Sequence, residues 1–108
     1  MIELSMVSGV GQAAPYAIVV LAEDLRPRLA DNEVRAQVHR ELEQLLVGVN
    51  GATASYEHLQ MMVVAAEPWT IENGCLTPTM KIKRRGIEAV VEPHVEAWYA
   101  ASGKVIWA

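Results

Sequence analysis

Cysteine is nearly absent from this sequence. Cys75 stands alone, so no internal disulfide can form and no metal site can be built on cysteines. Long apolar runs are missing too: the longest, Ala13–Ala22, has ten residues with Pro15 among them. A membrane-spanning helix needs about 18 or more, so the chain reads as soluble, with no transmembrane segment. No basic residue precedes Arg26 and Glu3 sits at the start, a poor match to a secretory signal. A basic excess is also lacking. Nine Lys and Arg against thirteen Asp and Glu leave a net charge of −4, which argues against a general binder of nucleic acid or membrane surfaces. No repeat, low-complexity tract or long linker divides the 108 residues, one domain's worth of chain. The 52% apolar share excludes a disordered chain, which lacks the apolar area to offset its ordering entropy.

The pattern along the chain alternates between strand and helix signals. Ile2–Val7 reads as a turn or a helix too brief to stand alone, and Gly9 and Gly11 mark a turn or bulge after it. Tyr16–Ala22 is rich in β-branched residues and predicts a strand buried on both faces. A turn at Arg26-Pro27-Arg28 follows. Asp31 or Asn32 can then cap a helix whose apolar stripe is Val34, Val38, Leu42, Leu45, Leu46 and Val49, with a stop at Asn50-Gly51. Leu59–Ala66 predicts a second strand. Glu72-Asn73-Gly74 predicts a turn with positive φ, and Pro78 keeps Thr77 extended. Helical spacing resumes from Ile82, and Pro93 predicts two helices meeting near Glu92, the second stopped by Gly103. The tally is an α/β sandwich: a small mixed sheet of about three strands packed with helices. Two strands are too few for a stable sheet, so residues 75–79 or 104–108 are expected to supply a third.

One local feature departs from the acidic average. Lys81, Lys83, Arg84 and Arg85 are four of the nine cations, and the rest of the chain therefore carries −8, four units below the total. Thr77-Pro78-Thr79 fixes an extended turn before them, and Thr79 can cap the helix that follows. Cations at a helix N-terminus are unfavourable by about 0.3–1 kcal/mol each, so a sequence shaped for stability alone would place acids there. Free backbone N–H groups with added cations form a site for anions, most naturally a phosphate. The alternative is that all four side chains extend into water. Lys81 and Arg85, four apart, would share one helical side while Lys83 and Arg84 point elsewhere, leaving room for a single working lysine.

The run Glu67–Arg85, EPWTIENGCLTPTMKIKRR, closely resembles the C-terminal motif of long-chain acyl-CoA synthetases, members of the AMP-forming, adenylate-forming ligases. The match falls on Trp69, Thr70, Glu72, Asn73, Gly74, Leu76, Thr77, Pro78, Thr79, Lys81, Lys83 and Arg84. The opening Ile2-Glu3 with Val7-Ser8-Gly9, the following strand and the helix at 33–50 look like the start of the same domain. The likeness thus covers nearly the whole chain. It implies that this chain is the C-terminal lid domain alone, spanning 1–108, whose partner is the N-terminal AMP-binding domain of the same enzyme. That domain would hold the phosphate-binding loop, the acyl pocket and Mg2+. Nothing here resembles the loop, since Ser8-Gly9-Val10-Gly11 has no Lys-Ser/Thr after it. By the same resemblance, Lys81 is the catalytic lysine that the mobile domain inserts for adenylation. Fatty acid, ATP and CoA are the implied substrates, none expected to stay bound to this chain, whose catalysis in isolation is improbable. The implied location is cytoplasmic, with membrane association open to the full enzyme.

Other residues point less far. His39, His58 and His94 share no metal-ligand spacing, and His39 falls on the polar side of its helix, where solvation is expected. Cys75 reads as a small apolar residue rather than a nucleophile. Glu88, Glu92 and Glu96 fit a solvated helix face, and Trp98, Tyr99 and Trp107 fit core packing of the terminal segment. Two rival functions remain: a non-catalytic binding or dimerisation module using an apolar sheet face, and a small nucleic-acid module using residues 81–85.

Overall fold

A computed structural model describes residues 2–8, 15–52, 58–65, 67–101 and 103–108. They fall into two units, Met1–Ala66 with Lys104–Ala108, and Glu67–Gly103. The turn expected at Gly9 and Gly11 and the strand end expected at Ala66 lie outside the described residues.

The first unit carries the sheet. Its strands are β1 (Ile2–Ser8), β2 (Tyr16–Leu21), β3 (Met62–Val64) and β4 (Val105–Trp107), side by side in that order. β1 runs antiparallel to β2, and β2, β3 and β4 are mutually parallel neighbours. The mixed α/β character expected from the sequence is present, with four strands in place of about three. The additional strands come from both chain ends: residues 104–108 provide β4, whereas 75–79 stay out of the sheet.

Segment Ile2–Val7, read above as a turn or short helix, is instead an edge strand. Leu4 and Met6 turn inward while Glu3, Ser5 and Val7 are exposed, the period-two pattern of a half-buried strand. Pairing with β2 decides the matter, because so short a segment has no helical stability of its own. A register shift between Ile2 and Leu4 leaves Glu3 as an extra residue. That bulge puts Ile2, paired with Leu21, and Leu4, paired with Val20, on opposite faces. Ile2 accordingly packs with the core on the Leu21 side.

β2 is buried along its whole length, as expected of a strand covered on both faces. Parallel neighbours need a crossover, and β2 connects to β3 through a 3-10 turn, Arg26–Ala30, and helix α1 (Asn32–Ala52). Asp31 caps α1: its Oδ1 accepts the Glu33 N–H at 2.8 Å and its carbonyl accepts the Arg35 N–H at 3.0 Å. Val38, Leu42 and Leu46 are buried against Ala17, Val19 and Leu21 of β2, Met62 and Val64 of β3, and Val105 of β4. Leu45 lies at the edge of the stripe and is largely exposed.

α1 does not stop at Asn50-Gly51 but continues to Ala52. Asn50 acts through its side chain. Its Nδ2 donates to the Leu59 carbonyl at 3.0 Å and its Oδ1 accepts the Leu59 N–H at 2.8 Å. One carboxamide thus serves as a strand partner for residue 59 and ties the helix end to the approach to β3.

His39 keeps 37% of its side chain exposed, in line with its helical position, but it also holds a partner from β4. The Trp107 indole N–H donates to His39 Nδ1 at 2.9 Å. The two rings are 15° from parallel with centroids 6.3 Å apart, which at that hydrogen-bond length is an edge-to-edge, nearly coplanar arrangement rather than a face-to-face stack. An indole can only donate, so Nδ1 is the accepting nitrogen. Arg35 lies over the Trp107 ring at 4.4 Å from its centroid. β4 is thereby fastened to α1 by its terminal tryptophan.

The second unit, which the chain inserts between β3 and β4, ends in helix α2 (Arg84–Ala101). The two helices expected near Glu92 are one, with Pro93 inside it. The proline leaves the Ala89 carbonyl without a helical donor. Ala89, Val90 and Pro93 are all exposed, so water can take the missing donor's place and the helix continues. Ile87 and Trp98 are its buried residues. Trp98 matches the core packing expected of it, and the His94 ring lies beside it at 5.9 Å between centroids.

Two stability outcomes follow from these contacts. Asn50→Ala strands both polar groups of Leu59 and should cost about 1–3 kcal/mol in urea unfolding; an unchanged midpoint would show that water replaces the carboxamide. Pro93→Ala restores a main-chain bond and should raise stability by up to about 3 kcal/mol, read as a higher Tm.

Candidate functional site

The candidate lysine sits in a short stretch whose main chain is fastened at many points. Asn73 is the first fastening. Its Oδ1 accepts the N–H of Thr70 at 3.0 Å and of Cys75 at 3.1 Å, while its Nδ2 donates to the Pro68 carbonyl at 2.9 Å. Thr70 Oγ1 returns a bond to the Asn73 N–H at 3.1 Å. An Asx side chain that bonds its own neighbours stabilises a tight turn, and this one closes residues 70–75. Gly74 adopts φ 79°, the positive φ that the Asn-Gly pair predicted and that glycine takes without steric cost.

Beyond the turn, Leu76 and Ile82 form an antiparallel bridge, with a small hairpin tip between them. The Thr77 N–H donates to the Lys81 carbonyl at 2.8 Å, and the Met80 N–H donates to the Thr77 carbonyl at 2.8 Å. Pro78 and Thr79 occupy the centre and Met80 follows with φ 65°. This is a three-residue hairpin loop whose last residue is left-handed, a place where glycine is usual. A side chain there costs about 1–2 kcal/mol, and Met80 is 63% exposed, so little burial offsets it.

Thr79, expected to cap the helix, instead places its hydroxyl 3.1 Å from that of Thr77. The residue that opens α2 is Lys83, whose carbonyl accepts the Ile87 N–H at 3.1 Å and whose N–H donates to the Cys75 carbonyl at 2.8 Å. Lys81 therefore lies on the hairpin, ahead of the helix. It does not share a helical side with Arg85 as the four-residue spacing implied, because Pro78 and the left-handed Met80 turn the chain before helical geometry begins.

A second close contact locks the turn to the helix. A Cβ added to Gly86, in the first turn of α2, would overlap the Gly74 carbonyl oxygen. Gly86 is thus a point of main-chain contact. Sequence reasoning passed over it, although a glycine inside a helical pattern is itself a signal of close packing.

The charges divide by position. Arg84 pairs with Glu88 at 3.6 Å. Lys81, Lys83 and Arg85 are exposed, and among the described residues the Lys81 ammonium meets no carboxylate. No acidic residue occupies the first turn of α2, so the helix dipole and the cations add rather than cancel. The result is a positive tip whose main chain is held by several hydrogen bonds and whose terminal amine meets no carboxylate among the described residues. Such a group can meet an oxyanion without first giving up a partner.

Cys75, beside the turn, is buried, and loss of hydration pushes its thiol above the usual range. It stays protonated and apolar at neutral pH, in keeping with the small-apolar reading. Glu92 and Glu96 are exposed, as a solvated face requires, and Glu88 is partly buried with Arg84. No described helix is long and apolar enough to cross a membrane.

A scan against protein-family models finds none that matches. Individual proteins do. The chain is 39% identical over 79 residues to acyl-CoA ligase 891, peroxisomal, of Penicillium roqueforti, covering 66% of this chain and 11% of that protein. It is 34% identical over 89 residues to long-chain-fatty-acid–CoA ligase 4 of Saccharomyces cerevisiae, covering 81% of this chain and 12% of that ligase. Among solved structures, the adenylation domain of the carboxylate reductase of Mycobacterium chelonae superposes with a TM-score of 0.65 at 25% identity, over 92% of this chain and 16% of that one. The didomain of the carboxylic acid reductase of Segniliparus rugosus, in complex with AMP, gives 0.64 at 25% identity, over 93% of this chain and 14% of that one. The chain spans about a tenth of the length of the curated relatives it matches. It is related in sequence to acyl-CoA ligases and in fold to adenylation domains of carboxylic acid reductases.

The turn-to-helix contact has a direct consequence. Gly86→Ala forces the Gly74 carbonyl away and should destabilise the protein by about 1–3 kcal/mol, read from a shifted unfolding midpoint. A neutral result would mean that the two backbones do not meet in solution.

Proposed function

We propose that this chain is the C-terminal lid domain of an AMP-forming ligase that activates a fatty acid and transfers it to CoA, and that Lys81 is its catalytic residue. The observation that carries the reading is the setting of Lys81: an exposed ammonium without an acidic partner among the described residues, on a main chain held at both polar atoms. Likeness to acyl-CoA ligases supplies the reaction class.

The chemistry suits the residue. A fatty-acid carboxylate oxygen attacks the α-phosphorus of ATP, forming the acyl–O–P bond as the bond to pyrophosphate breaks. Negative charge builds on the non-bridging oxygens and on the leaving pyrophosphate. A compact ammonium on a flexible stem can lie between the carboxylate and phosphate oxygens and stabilise that charge as it forms. Lys83 and Arg85 raise the local positive potential without needing direct contact. The CoA thiolate then attacks the acyl carbonyl and expels AMP, a step for which the mobile lid would turn and withdraw Lys81 from the reacting centre. The N-terminal AMP-binding domain would contribute the nucleotide and acyl pockets and hold the Mg2+ that accompanies ATP.

The test separates the two half-reactions in the full-length enzyme. Lys81→Ala should slow acyl-adenylate formation by about 10²–10³-fold, the usual effect of deleting one charge-stabilising donor. Thioester formation from preformed acyl-adenylate should change little. Equal losses in both steps would refute the assignment.

A further inference from the structure

Resting on the reading of Lys81 above, the geometry points to Thr77 as the positioning residue that sets where that ammonium is launched; we infer that it acts through Lys81 and does not touch substrate. Both polar main-chain atoms of Lys81 end on this one threonine. The Lys81 N–H donates to Thr77 Oγ1 at 3.1 Å, and the Lys81 carbonyl accepts the Thr77 N–H at 2.8 Å. The Thr77 carbonyl holds the intervening Met80 N–H at 2.8 Å, and the Thr79 hydroxyl lies 3.1 Å from the Thr77 hydroxyl.

The bracket has an opponent. Met80 stands at φ 65° with its side chain 63% exposed, so local sterics favour its return to negative φ. Rotation there would swing the Cα–Cβ bond of Lys81 and move the whole stem that carries its amine. Among the described residues the Thr77 hydroxyl is the only side-chain atom that accepts the Lys81 N–H, and it holds the lysine against that relaxation. A displacement of about 1 Å at a reacting group can cost 10²-fold in rate, so the hydroxyl matters for the reaction although it stays clear of the phosphate.

The experiment compares Thr77→Val, which keeps shape and branching but lacks the acceptor, with Thr77→Ser, which keeps the acceptor. In the full-length enzyme, Thr77→Val should lower kcat for acyl-adenylate formation about 10–100-fold with little change in KM for ATP. Thioester formation from preformed acyl-adenylate should stay within about twofold of the parent. Thr77→Ser should recover most of the adenylation rate. Met80→Gly, which adopts positive φ freely, should recover part of it in the Thr77→Val background, and Thr77→Ala with Met80→Gly serves in the same way if the valine variant does not fold. A parental adenylation rate in Thr77→Val, alongside a large loss in Lys81→Ala, would overturn the positioning role and leave the lysine assignment standing. A parental rate in Lys81→Ala would remove the assignment itself. Parallel loss of both half-reactions with a lowered unfolding midpoint would reduce Thr77 to a structural residue and also overturn the inference.

Discussion

The amide of Asn73 and the hydroxyl of Thr77 impose the constraint on which the rest of the candidate site depends. Between them they bond the main chain of Pro68, Thr70, Cys75 and Lys81. Residues 68–83 have little chance of regular secondary structure, with two prolines and an Asn-Gly pair in the stretch, so their polar backbone groups need partners from side chains. Once those partners are fixed, the conformational freedom left at position 81 is in the side chain. A lysine with a fixed root and a head that meets no carboxylate among the described residues carries little reorganisation cost when it meets an anion, and electrostatic catalysis rests on such preorganisation.

Electrostatics and main-chain strain reinforce each other there. The first turn of α2 holds Arg84 and Arg85 where a stability-minded helix would hold acids, and of the two only Arg84 pairs with a carboxylate among the described residues, that of Glu88. The left-handed Met80 adds a backbone cost next to the same lysine. Both features are unfavourable to folding in isolation, and both lie within a few residues of the position implicated in chemistry. Strained backbone and unbalanced charge concentrate at functional sites because selection for stability alone would remove them.

The sheet unit shows where local pattern speaks and where it falls silent. β2 and α1 were legible because each carries a strong signal over its whole length: a continuous β-branched run in Tyr16–Leu21 and a stripe at Val38, Leu42 and Leu46. β1 was not, because six or seven residues of weak alternation acquire meaning only when β2 offers them a partner and a bulge corrects their register. Pro93 misled in the opposite direction. A helix break is the usual reading of an internal proline, and solvent access to the freed carbonyl lowers the penalty enough for the helix to continue. The helix position of His39 implies a surface residue and nothing more, because the Trp107 that binds it lies 68 positions away, a separation that no window along the chain can span.

The candidate site divides in the same way. Residue types and order alone marked the cationic run, the Asn-Gly turn with its positive φ, and Lys81 as the residue of interest, since turn chemistry and charge are properties of a few consecutive side chains. Tertiary structure decided that Lys81 belongs to a hairpin and not to the helix, that Thr77 brackets it, and that Gly86 must be bare where the Gly74 carbonyl approaches. Those facts depend on how separate segments return to meet each other, and approach distances between main chains leave no trace in the order of residues beyond the glycine that permits them.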